Sequence, residues 1–316
     1  MERLMSLEDL GIIGYESKTL LIDGDLVIYQ ACCVFNEDDD QSRRQIIRNV
    51  NGKVEKLMQA ADCDKYIMFV TTKFNFRDDL VDDYKLKRVE EDRPVNLQWA
   101  KRYFTEKLNC HFHKKLEADD LLGIYMTDDT VLWSLDKDLR QIPGKHLDDA
   151  TAEVIEVSED GILRTDIKIG KNGVKKKKIY FDGTIGLYYQ MLIGDNTDHI
   201  VGCGKRVTAI RKSGDKKGEE YIKRVGVGPG AAVKLLTQAV LHGKGNLKFA
   251  LEAVIGEYKK VHGSDWQVHL ETQANLLYMV RKQYGEVIQR WTYDGREEYF
   301  DLVEGVILHD YKAPTD

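Results

Sequence analysis

The sequence predicts an α/β protein: a mainly parallel central sheet flanked by helices, followed by a mostly helical C-terminal region. Three observations carry this. The runs 18–23, 65–72 and 130–136 are apolar without alternation, as strands buried on both faces are. Between them lie segments with helical spacing of apolar residues, at Leu97–Leu108 and from Leu121 onward. From Gly186 the pattern is mostly helical. Strands alternating with helices pack as an α/β unit.

Taken in order, the first strand ends in Asp23, and Leu26–Cys33 opens a helix. Glu37–Asp40 reads as a solvated acidic loop. The second strand is followed by a basic and aromatic stretch, Phe76–Arg88. Glu117-Ala-Asp119-Asp120 precedes the helix at Leu121, and the third strand ends in Asp136. Residues 164–181 read as a basic hairpin turning at Asn172-Gly173, the favoured two-residue turn. A boundary near 185–190 divides the chain into a core, 1–188, and a C-terminal region, 189–316. In the latter, Gly226-Val-Gly228-Pro-Gly230 reads as a turn opening a helix, whose free N–H groups suit a phosphate. Residues 205–224 form a basic insertion, with Ser213–Gly218 as its loop tip.

Composition narrows the function. The N-terminus, Met1–Leu10, is mixed and polar, unlike a signal peptide, and no apolar run approaches the roughly 20 residues of a membrane span. Five cysteines without a CxxC pair argue against a disulfide framework or zinc knuckle and fit a reducing cytoplasm. The net charge is −6, but eight carboxylates assigned below to one site account for it; without them the balance is +2. An acidic total therefore does not exclude DNA.

Those eight are Asp23, Glu117, Asp119, Asp120, Asp136, Asp138, Asp195 and Asp198. Ligand sites in open α/β sheets form beyond the carboxyl ends of the strands, where Asp23 and Asp136 stand. Asp138 shares a crevice with Asp136 if that chain stays extended. Glu117 and Asp120, like Asp195 and Asp198, have i, i+3 spacing. Each group alone has a bland reading: an Asp-x-Asp is usually solvated, and Glu-x-Asp-Asp before a helix is usually a cap. Four such groups in order are less easily accidental. Packed together, the acids would repel, and hard divalent cations would relieve that repulsion. Arg77, Tyr84, Lys85 and Arg88, close after the second strand, supply cations and a ring for a phosphate and a terminal base.

The order of motifs resembles the flap endonuclease and 5′→3′ exonuclease family, whose nuclease core is related to the PIN fold. The motifs are Leu21-Ile-Asp23-Gly, Phe76-Arg77…Tyr84-Lys85…Arg88, Glu117-Ala-Asp119-Asp120, Ser134-Leu-Asp136-Lys-Asp138 and Gly194-Asp195-Asn-Thr-Asp198, within roughly residues 20–235. The pattern is most similar to phage-encoded 5′→3′ DNA exonucleases that remove primers or degrade host DNA. The resemblance implies two Mg2+ ions, with Mn2+ as a substitute. Glu117, Asp119 and Asp136 would hold the first, with Asp23 and Asp120 nearby; Asp138, Asp195 and Asp198 would serve the second. Lys85 and Arg88 would act on the scissile phosphate, Tyr84 would stack, and residues 84–115 would arch over the site. Gly226, Gly228 and Gly230 would grip duplex DNA in a helix–turn–helix element, with K+ at the turn. Arg77 and the insertion's Lys205, Arg206, Arg211, Lys212, Lys216 and Lys217 are further candidate DNA contacts. The expected substrate is DNA with a 5′ end or flap, or an RNA–DNA hybrid; no membrane is involved. One departure is that Phe69–Thr72 carries no acid where the family has one after the second strand. The alternatives are a PIN-type ribonuclease and a non-catalytic DNA-binding protein with the same fold.

Overall fold

The computed structural model describes residues 18–82, 84–85, 93–169, 175–308 and 311–314. In chain order, β1 (Thr19–Asp23) leads into α1 (Gly24–Cys32) and α2 (Asp40–Ala61). Then come β2 (Lys65–Phe69), α3 (Arg77–Leu80), α4 (Leu97–Lys107), β3 (Cys110–His111), α5 (Ala118–Ile124) and β4 (Thr130–Trp133). A 3-10 turn, Lys137–Gln141, precedes β5 (Gly144–Asp148) and β6 (Glu153–Val157). The hairpin β7 (Leu163–Ile169) and β8 (Lys175–Phe181) is followed by α6 (Gly183–Ile193). A second hairpin, β9 (Gly204–Ile210) and β10 (Glu220–Gly226), runs into α7 (Pro229–His242), α8 (Leu247–His262) and α9 (Trp266–Leu277). The chain closes with β11 (Gln283–Tyr284), β12 (Val287–Gln289), β13 (Tyr299–Asp301) and β14 (Val306–Leu308).

The main sheet has the order β3-β2-β1-β4-β5-β6, parallel except for β6. β1 is buried at every position, as its unbroken apolar run requires. Its residues divide by the two-residue period: Leu20 and Ile22 enter a core with α1, α2 and α4, whereas Leu21 enters one on the opposite face with α5. That second core is completed from the far end of the chain by Met279, Val280, Ile288, Phe300 and Leu302. A third core gathers α6, α7, α8 and α9. The helical C-terminal region also carries a four-stranded antiparallel sheet, β11–β14.

Several expectations change here. Glu37–Asp40 is not only a solvated loop: Asp39 caps α2, accepting the Ser42 N–H at 2.6 Å. Much of the expected arch is a core helix. Leu97, Ala100 and Phe104 line one side of α4 and are buried against the first core. Of that segment, residues 86–92, including Arg88, lie outside the described residues, as do Met1–Leu10 and the Asn172-Gly173 turn. The 205–224 insertion is a regular antiparallel hairpin that pairs Gly204 with Gly226. It thereby brings Gly202-Cys203-Gly204 beside Gly226-Val227-Gly228, two glycine pairs that it separates in sequence. A Cβ on Gly226 would lie 2.3 Å from the Cys203 carbonyl oxygen, so only glycine permits this approach.

Candidate active site

The carboxyl ends of β1 and β4 open onto two adjoining clefts. The larger, about 630 Å³, is lined by Asp23, Asp25, Thr71, Thr72, Lys101 and Asp78, among others. The smaller, about 50 Å³, is lined by Asp138, Asp195, Asp198 and Gln190. Tyr84, Lys85, Glu117, Asp119 and Asp136 line both. Seven of the eight sequence-selected acids thus face one continuous site. Among the described residues, no three His, Cys, Asp or Glu side chains already converge into a metal-holding group.

Local chemistry places each acid. Asp23 ends β1 and caps α1, accepting the Leu26 N–H at 3.1 Å and the Ser134 hydroxyl at 2.8 Å. The glycine after it is required, because a Cβ on Gly24 would sit 2.7 Å from the Phe69 carbonyl oxygen. The backbone after β4 does not stay extended: Asp136 accepts the Asp138 N–H at 2.9 Å and starts the 3-10 turn. That turn still leaves both carboxylates on the smaller cleft. Asp195 accepts the Thr197 N–H at 2.6 Å, closing the loop that carries Asp198. Glu117 and Asp120 form a reciprocal cap at the start of α5.

Electrostatically the acids fall into two sets. Burial and the neighbouring Asp25 push the Asp23 carboxyl up to about 7, with Asp136 adding to the rise. Burial, Asp23 and Asp136 hold Asp119 well above the usual carboxylate range. Burial and Asp136 bring Asp138 to about 6. Glu117 goes the other way. Burial opposes its charge, but Lys85 at 2.5 Å, Arg77 at 3.3 Å and the Tyr84 hydroxyl at 2.9 Å prevail and hold it at about 2.

Four expected roles do not match these positions. Arg77 is 1% exposed and grips Asp120 with both terminal nitrogens, at 2.7 and 2.8 Å, while donating to the Leu276 and Tyr278 carbonyls. It has no surface for DNA. Asp120 is fully buried; its oxygens also accept the Val280 and Glu117 N–H groups, so it anchors the site from beneath. Tyr84 is 8% exposed, its ring in the third core and its hydroxyl on Glu117, which leaves no face for stacking. In the insertion, Arg206 and Arg224 bond main-chain carbonyls of the body: Arg206 that of His199, and Arg224 those of Leu192 at 2.7 Å and Val201 at 2.6 Å. They fasten the hairpin, whereas Lys205, Arg211, Lys212, Lys216 and Lys217 are exposed. Gly228 and Gly230, at the start of α7, have nothing within 4 Å of a would-be Cβ, so that backbone is open to approach.

Sequence reasoning gave no role to Asp25, Lys101 or Ser134. Asp25 accepts the Thr71 N–H at 2.9 Å and pairs with Lys101 at 2.5 Å. It brings a carboxylate to the end of β2, where Thr71 and Thr72 stand in place of the family's acid. The signal was present: Asp25 follows Asp23 by two residues, and Ser134 precedes Asp136 by two.

A mainly parallel sheet flanked by helices, with an acid-lined crevice at its carboxyl edge, defines a PIN-like α/β nuclease core. The profile for the 5′-3′ exonuclease, N-terminal resolvase-like domain matches residues 18–177, half of the chain, and the protein belongs to that family. No curated protein matches the sequence.

Proposed function

We propose that the protein is a divalent-metal-dependent 5′→3′ exonuclease or flap endonuclease acting on DNA, of the kind that removes primers or degrades host DNA in phage replication. The observation that carries this reading is that seven carboxylates line one crevice, where burial and neighbouring acids force Asp23, Asp119 and Asp138 toward their neutral forms. Crowded oxygen donors suit Mg2+, with Mn2+ as a substitute. Glu117, Asp119, Asp136 and Asp23 would hold one ion, and Asp138, Asp195 and Asp198 the other. Bound there, the ions supply an activated water and stabilise the leaving oxygen. The chain's own contribution is positional. Lys85 lies between Glu117 and Asp198, at 2.5 and 3.7 Å, where its ammonium meets a phosphate entering either cleft. The open start of α7 offers N–H groups to the duplex backbone, with K+ as an expected companion. The exposed lysines and Arg211 of β9–β10 add sequence-independent phosphate contacts. No helix among the described residues is long and apolar enough to cross a membrane, and action in the cytoplasm of a host cell is part of this reading.

The test is digestion of 5′-labelled duplex, flap and RNA–DNA hybrid substrates with Mg2+ or chelator, using the parent and Asp136→Ala. Cleavage that needs Mg2+ and falls at least about 100-fold in Asp136→Ala, with DNA still bound, supports the reading. Undiminished turnover in that variant removes the site from the reaction.

A further inference from the structure

The β7–β8 hairpin is absorbed by none of the roles above, yet residues 164–180 carry seven basic residues against one acid, Asp166. Lysines on an edge strand commonly block sheet-to-sheet association. That explanation does not apply to the main sheet: its edges are β3 and β6, and β7–β8 is a separate two-stranded ribbon. The register sorts its charges. Cross-strand partners share a face, and the pairs Arg164–Tyr180, Asp166–Lys178 and Lys168–Lys176 fall on one side. There the Tyr180 ring gathers three cations, with Lys178 at 4.5 Å, Arg164 at 5.1 Å and Lys168 at 5.9 Å. Asp166, 3.8 Å from Arg164, is the acid that the ribbon's sequence sets against them. A polyanion would relieve the remaining repulsion.

The root of the ribbon indicates which polyanion. Phe181, the last residue of β8, packs on Tyr189 of α6 at 5.0 Å and under the Lys137 ammonium at 5.5 Å. Lys137 lies between Asp136 and Asp138 in the chain and bonds Asp138 at 2.6 Å. β7 also packs against α7. The ribbon therefore springs from beside both the carboxylate crevice and the helix with the open N-terminus. A nucleic-acid strand is a polyanion long enough to reach both. We propose that the Arg164–Lys168–Lys176–Lys178 face of β7–β8 binds the phosphate backbone of duplex DNA beside the crevice, an inference that rests on the nuclease reading of that crevice.

The test compares three full-length proteins in chelator, by fluorescence anisotropy of a labelled duplex across a salt series. One is the parent, one carries Lys168→Ala, Lys176→Ala and Lys178→Ala, and one carries Lys175→Ala and Lys177→Ala on the opposite face. All five lysines are exposed, and circular dichroism checks that the fold is kept. Each phosphate that a variant no longer neutralises should reduce the log–log salt slope by about 0.9, so the triple variant should be flatter by up to about three units and the opposite-face variant by less than one. Equal effects per lysine on both faces, or no effect on either, would overturn the proposal. If the parent cleaves DNA with Mg2+ but the slope is unchanged, only the ribbon's role fails. A parent that neither cleaves nor binds DNA would overturn the nuclease reading and the ribbon's role with it. Binding of the parent, abolished equally in both variants, to anionic phospholipid vesicles but not to duplex would assign the charge to a membrane surface instead.

Discussion

Glu117 and Asp119 are two residues apart at the entry to one helix, yet they meet burial in opposite ways. Glu117 is enclosed by the chain's own donors, Lys85, Arg77 and Tyr84, and is held ionised at about 2. Asp119 faces Asp23 and Asp136 and is pushed well above the usual range, with Lys85 only partly offsetting the rise. A buried carboxylate is tolerated if the protein supplies its counter-charge or if solution does. The floor of the site uses the first solution and its mouth the second. The floor can therefore fold without help, whereas the mouth keeps a repulsion that a cation would relieve under the proposed reading.

The comparison is broken most severely at Arg77. Arg77→Leu leaves Asp120 and Glu117 buried without their guanidinium. Removal of one partner of a buried pair costs about 3–5 kcal/mol. Urea unfolding in chelator should register a loss of that size. A loss below about 1 kcal/mol would mean that water replaces the guanidinium, and that the floor is not pre-neutralised.

A smaller effect, of opposite sign, is expected at the mouth. Asp119→Asn removes a charge that Asp23 and Asp136 oppose, so it should stabilise the protein in chelator by about 1–2 kcal/mol, the scale of one like-charge contact in a partly hydrated cleft. The same variant should gain less stability from Mg2+ than the parent, because ligand linkage is weakened. Thermal melts with and without Mg2+ read both quantities. A destabilised variant that keeps the parent's Mg2+ response would show that Asp119 acts as a packing residue.

The same distinction explains what was legible in the sequence. The strands ending at Asp23 and after Trp133 were readable because burial on both faces leaves an unbroken apolar run, and the acids stood at their ends. What sequence spacing could not reveal was which carboxylate faces a cation and which faces another carboxylate. Arg77 is 43 positions from Asp120, and its carbonyl partners at Leu276 and Tyr278 are about 200 away. Without those long-range contacts a basic residue after a strand reads as a DNA contact. The β9–β10 hairpin was hidden for a local reason. Its strands are exposed on both faces and dense in lysine and arginine, so the alternation that marks a half-buried strand is absent. Asp25 was overlooked because its partner, the Thr71 N–H at the end of β2, depends on the parallel pairing of β1 with β2.

A third way of burying an ionisable group gives the last and smallest prediction. His146 on β5 is 3% exposed, and its ring nitrogen lies 2.7 Å from the Ile142 carbonyl oxygen. Burial, with Arg140 adding to it, lowers its pKa to about 4 despite that hydrogen bond. It has neither a built-in counter-charge, as Glu117 has, nor access to a cation that would help; it remains neutral. The unfolded chain protonates this ring near 6.5, whereas the folded chain resists until about 4. Between those values the unfolded state binds more protons. His146 therefore contributes stability that is intact above 6.5, falls as the pH is lowered and is fully lost once the pH has passed below about 4. At pH 5.5 the loss amounts to about 1 kcal/mol. Gln at this position keeps a donor for the Ile142 carbonyl but does not titrate. His146→Gln should flatten the decline in urea stability between pH 7 and pH 5.5 by that amount, leaving the contributions of the acids in place. An unchanged pH slope in this variant would mean that the ring is already accessible to protons in the folded state.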